Sequence, residues 1–179
     1  MRPRKTPAPD ALNPVPLFVV ALILFVVFAM VQFIDDNAPL TPEQALEQAV
    51  LDHDVLAAEM ALAQGAGVNH PNSFDNQTVL HRAAWRGQAD MVELLLRRGG
   101  DPNRRDSHSG ETPLHSAVRG NHPAVVRLLL AAGADPFIAL LRESEQCISG
   151  MLHPAGSTAT DIARRAGFAG VADALQRSD

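Results

Sequence analysis

Two hydrophobic patterns divide the chain. From Leu17 to Ile34 it reads LFVVALILFVVFAMVQFI, 18 residues without a charge. Beyond residue 40 the apolar positions instead recur at helical spacing between glycine-ended turns. Met91, Val92, Leu94, Leu95 and Leu96 form one stripe, and Val125, Val126, Leu128, Leu129 and Leu130 form another. Such stripes predict amphipathic helices sharing one core.

The first run predicts a membrane span. As a helix rising ~1.5 Å per residue it is roughly 27 Å long, close to the ~30 Å hydrocarbon core of a bilayer. Pro14 and Pro16 stop it from extending backward. Arg2, Arg4 and Lys5 precede it, and Asp35 and Asp36 follow. The positive-inside rule then keeps the N-terminus cytoplasmic and sends the remainder across. A cleaved signal peptide is the alternative, but it needs a shorter apolar region and a small-x-small cleavage site. No Ala-x-Ala follows this run, and Pro39 after Ala38 is a poor cleavage context. The expected organisation is a tail over 1–16, a signal-anchor helix over 17–34, a linker over 35–40 and a folded domain over 41–179.

That domain repeats itself. The glycine-ended segments GAGVN at Gly65, GGDPN at Gly99 and GADPF at Gly133 follow one another at steps of 34 residues. Leu46, Leu80 and Leu114 keep the same register, as do Ala49, Ala83 and Ala117. Met60, Leu94 and Leu128 align as well, followed by Leu62, Leu96 and Leu130. A fixed period of this length is the mark of a solenoid whose units bury their apolar faces against one another.

The central units read TVLHRAAWRGQADMVELLLRRGGDPN from Thr78 and TPLHSAVRGNHPAVVRLLLAAGADPF from Thr112. This resembles the ankyrin repeat, with its T-P-L-H-x-A opening, V-V-x-L-L-L helix and G-A-D-x-N turn. The resemblance implies an all-α solenoid of about four helix-turn-helix repeats, at 41–70, 75–103, 109–136 and 156–176. The outer two are degenerate caps. Thr41-Pro42-Glu43-Gln44 opens the first as a capping box. Thr158, Asp161, Ile162 and Ala163 belong to a T-P-L-D-L-A variant in the last. The step from Thr112 to Thr158 is 46, so 12 residues are inserted. They fall within 137–155, expected as an elongated finger hairpin or a small helix.

Charge and chemistry narrow the function. The formal charge is −5, and Arg2, Arg4 and Lys5 against Asp10 leave −7 for everything after residue 16. A chain with this balance has no basic footprint for nucleic acid. Cys147 is the only cysteine, which excludes an internal disulfide. No phosphate loop, nucleophile elbow or metal-ligand spacing occurs, so no catalytic residue, cofactor or metal is expected. His81 and His115 sit in the T-x-L-H motif, where the resemblance implies hydrogen bonding to neighbouring backbone. His53, His70, His108 and His153 are expected near turns.

What remains is binding. Repeats of this kind bind through their fingers and the exposed side of their first helices. The positions lining that surface are Arg82, Trp85, Arg86, Ser116 and Arg119. Phe74, Arg104, Arg105 and His108 are expected beside them in the fingers. Trp and Arg are enriched among interface hot spots, and the basic patch suits an acidic partner surface. The expected protein is a membrane-tethered interaction module, bound to lipid through Leu17–Ile34, with its partner at or near the membrane. Its nearly Lys-free composition suggests a bacterial inner-membrane protein with a periplasmic domain that stabilises or inhibits an envelope protein. A signal-cleaved secreted effector or toxin-immunity protein is the alternative.

Overall fold

A computed structural model describes residues 25–27, 39–72, 76–141, 144–148 and 151–176. The chain divides into two units, Met1–Pro39 and Leu40–Asp179. Within the first, Phe25–Val27 are helical and exposed; the rest of the expected anchor lies outside the described residues. No helix among the described residues is long and apolar enough to cross a membrane.

Among its described residues the second unit contains four helix pairs. They are α1 Pro42–Asp52 with α2 Val55–Ala63, α3 Val79–Arg86 with α4 Ala89–Arg97, α5 Pro113–Arg119 with α6 Pro123–Ala131, and α7 Ala159–Ala166 with α8 Ala169–Gln176. First helices stack on first helices, and second on second, giving two layers. The register read from the sequence is the core: Leu46, Leu80 and Leu114 are buried, with Ala49, Ala83 and Ala117 beside them. Alanine at the latter positions lets adjacent first helices approach closely.

Helix ends follow the local sequence. Thr41 and Gln44 form the reciprocal capping box, with Gln44 N–H donating to Thr41 Oγ1 at 3.2 Å and Thr41 N–H to Gln44 Oε1 at 2.9 Å. Gly87 and Asn121 take the left-handed conformation after α3 and α5, with φ of 72° and 57°. Adjacent repeats are also tied side by side. Asn69 donates to the Gly99 carbonyl at 2.9 Å and accepts from Asp101 N–H at 2.8 Å. Asn103 repeats this one unit later, with the Gly133 carbonyl at 2.9 Å and Asp135 N–H at 2.8 Å. The third unit has Phe137 at that position, 75% exposed.

The chain departs from an all-α architecture directly after Phe137. The insertion forms an antiparallel hairpin of β1 Ser144–Ile148 and β2 Met151–His153, the first of the two forms expected. Its stem is stitched by Leu140 N–H to Ser157 O at 2.9 Å and Gly156 N–H to Leu140 O at 2.8 Å. Leu141 N–H reaches Ser109 O at 2.8 Å, which joins the stem to the preceding finger.

The caps differ from their aligned partners. Met60 occupies the register of buried Leu94 yet is 56% exposed, because among the described residues the second-helix layer continues from α2 on one side only. Leu56, four residues earlier, is also exposed, so the first repeat is less polar outside than its acidic residues suggest.

Candidate functional site

The open face of the first helices is set by helical period. In α3, Leu80, Ala83 and Ala84 turn into the core. Arg82, Trp85 and Arg86, at i, i+3 and i+4, therefore share the opposite side. Trp85 is 53% exposed. With Leu51, Gln77, Glu111, Ser116 and Arg119 these residues line a concavity of about 300 Å³. A second concavity, of about 480 Å³, lies between α1 and the finger after it. Glu43, Glu47, His70 and Asn72 line it, together with Gln77 and Arg82, which belong to both.

The arginines are held in place by their neighbours. Arg82 pairs with Glu47 at 3.1 Å. Arg86 Nη1 donates to the Leu51 carbonyl at 2.7 Å and Gln88 Nε2 to that of Val50 at 3.0 Å, so two carbonyls in the last turn of α1 accept from the next repeat. Trp85 is steadied through its backbone, where His122 Nε2–H donates to its carbonyl at 3.0 Å.

Arg119 differs from the exposed side chain that its position suggests. Its Nη1 donates to both carboxylate oxygens of Glu111, at 2.7 and 2.6 Å, and the two side chains are 7% and 2% exposed. It lines the floor of the concavity but is largely buried. Arg105 also turns inward, donating to the Ala139 carbonyl at 2.9 Å and so bracing the finger against the insertion. Arg104 is half-buried and His108 exposed, both in the finger between the second and third repeats. Phe74 lies outside the described residues. The structure thus brings Arg82, Trp85, Arg86, Ser116 and Arg119 to one concavity and leaves Arg104, Arg105 and His108 outside its lining.

Sequence reasoning missed Glu111, Leu51 and Gln77. Only Glu111 carried a signal, an acidic residue directly before a Thr-Pro helix start.

The motif histidines are structural. Nδ1 of His81 receives the Thr78 backbone N–H at 3.2 Å, and its Nε2–H donates to the Glu111 carbonyl in the next repeat at 3.3 Å. His115 makes the same Thr112 bond at 3.2 Å, but its Nε2 is buried without a partner. Burial pushes His81 below the usual histidine range and His115 down to about 4. His153 ends β2 just before the turn at Ala155 and Gly156, as expected, but it is buried, and neither ring nitrogen has a hydrogen-bond partner. Burial, then nearby Arg119, lowers its pKa. In α7 Asp161 replaces the motif histidine; the Thr158 backbone N–H, 3.0 Å from its carboxylate, lowers its pKa. Among the described residues no cluster of three or more His, Cys, Asp and Glu is arranged to hold a metal.

Four stacked helix pairs, inter-repeat asparagine ties and threonine–histidine caps at a fixed period leave one comparison decisive. Ankyrin repeats (3 copies) match residues 46–139, just over half of the chain. The chain belongs to the ankyrin-repeat family. The match begins within α1, covers the rest of the first three repeats and ends three residues into the 137–155 insertion, before the last ankyrin unit. No curated protein matches the chain. Ankyrin repeats point to a protein–protein interaction module, and the concave side of this one is the face lined by Arg82, Trp85 and Arg86.

Proposed function

We propose that this protein is a membrane-tethered binding module that captures a protein partner on its concave ankyrin face, without catalysing a reaction. Trp85 carries the reading: it is a half-exposed indole flanked by Arg82 and Arg86 above a concavity. The fold asks for no large apolar residue there, whereas tryptophan beside arginine is what binding hot spots favour. The 18 uncharged residues over 17–34 anchor the chain, with residues 1–16 cytoplasmic and the domain periplasmic. Only residues 35–40 separate anchor from first repeat, so the partner is an envelope protein at or near the membrane, stabilised or inhibited by capture.

Cross-linking pull-down from native membranes tests the binding face. Trp85→Ala in the full-length chain weakens capture by about thirtyfold or more, the loss typical of a hot spot. Undiminished capture by a folded Trp85→Ala, Arg86→Ala double variant overturns the proposal. Reporters active on one side of the membrane, fused to the C-terminus, test topology. A mature chain lacking residues 1–38 would rule out the anchor and favour a secreted protein.

A further inference from the structure

The two concavities share Gln77 and Arg82 in their linings, so they lie side by side on the first-helix side. Their charges differ in kind. Around the larger one stand Glu43 and Glu47 from α1, with His70 of the finger. The smaller one holds Trp85 and Arg86 beside the internally neutral Glu111–Arg119 pair. The shared Arg82 is balanced by Glu47 at 3.1 Å. Once these pairs cancel, Glu43 remains at one end and Arg86 at the other, with an exposed indole next to the cation.

We infer that this groove takes a single extended peptide segment of the partner in one direction. A cationic residue of the segment lies at the Glu43 end, and an acidic residue lies against Trp85 and Arg86. Complementary charge at separated points contributes direction and register more than raw affinity, while the indole supplies the apolar contact. A segment bound backwards sets like charges against each other at both ends, which costs specificity energy of the kind used to reject wrong partners. The inference rests on the concave-face reading and adds the chemistry and polarity of what binds there.

The test pans the full-length chain, purified in detergent, against a display library of random twelve-residue peptides. The expected consensus contains Lys or Arg and Asp or Glu in a fixed order and spacing. Glu43→Lys then weakens the consensus peptide at least tenfold, and a peptide with its basic residue changed to acidic regains binding. Arg86→Glu behaves in mirror image, rescued only by reversal of the acidic position; a retained melting temperature shows that each variant folds. A consensus without both charges, variable charge order, failure of either rescue or enrichment of no peptide overturns the inference. If the consensus peptide binds Trp85→Ala as well as wild type, the concave-face reading falls too. Sensitivity to Trp85→Ala with indifference to Glu43→Lys removes only the polarity.

Discussion

Glu111 and Arg119 meet through two hydrogen bonds of 2.6 and 2.7 Å under the concave face, almost wholly out of water. One comes from the end of a finger and the other from the last turn of α5, so their pairing holds finger to helix. Removing one partner strands a buried charge, which costs about 3–5 kcal/mol, whereas replacing both with apolar residues is often tolerated. Arg119→Ala should therefore lower the denaturant midpoint sharply, and Glu111→Leu with Arg119→Met should recover most of the loss. Chemical unfolding followed by circular dichroism checks both.

The buried histidines predict an acid-sensitive fold. His115 is held neutral down to about pH 4 in the folded chain, against an ordinary value of 6.5. Below pH 6.5 the unfolded chain takes up a proton that the folded chain refuses, so stability falls with pH until the folded value is reached. The loss from His115 is on the order of 3 kcal/mol, and His81 and His153, also lowered, add to it in the same direction. Unfolding midpoints measured from pH 7 to pH 4 should decline, and more shallowly in His115→Leu.

The asparagine ties should carry cooperativity between repeats. Asn103→Ala leaves Asp135 N–H and the Gly133 carbonyl without their side-chain partner. Two lost hydrogen bonds of this type cost about 1–3 kcal/mol. A repeat array loosens where its interface weakens, so amide exchange in α5 and α6 should accelerate more than in α1.

His122 fills the space that two glycines leave open. A methyl group on Gly87 would come within 2.4 Å of its Nδ1, at a backbone φ of 72°. Gly87→Ala should thus cost about 1–3 kcal/mol through overpacking and left-handed strain together. In a His122→Ala background the crowding disappears, so the same substitution should cost less. A double-mutant cycle of melting free energies reads the difference.

The sequence by itself determined the repeat. Leucine and alanine at a 34-residue period, threonine starts and glycine or asparagine ends are local signals, and each acts within one or two helical turns of where it is written. Hence the helix pairs, their caps and the core residues were legible before any coordinates. Tertiary structure decided which polar residues stay available. Arg119 and Arg86 occupy similar open-side positions. One is drawn under the finger by Glu111, and the other leans on a carbonyl 35 residues earlier. The insertion likewise forms a hairpin whose stem is bonded to Ser157 and to Ser109 of the previous finger. These outcomes depend on which repeat lies alongside, and a periodic pattern records that neighbours exist without recording which side chains reach across.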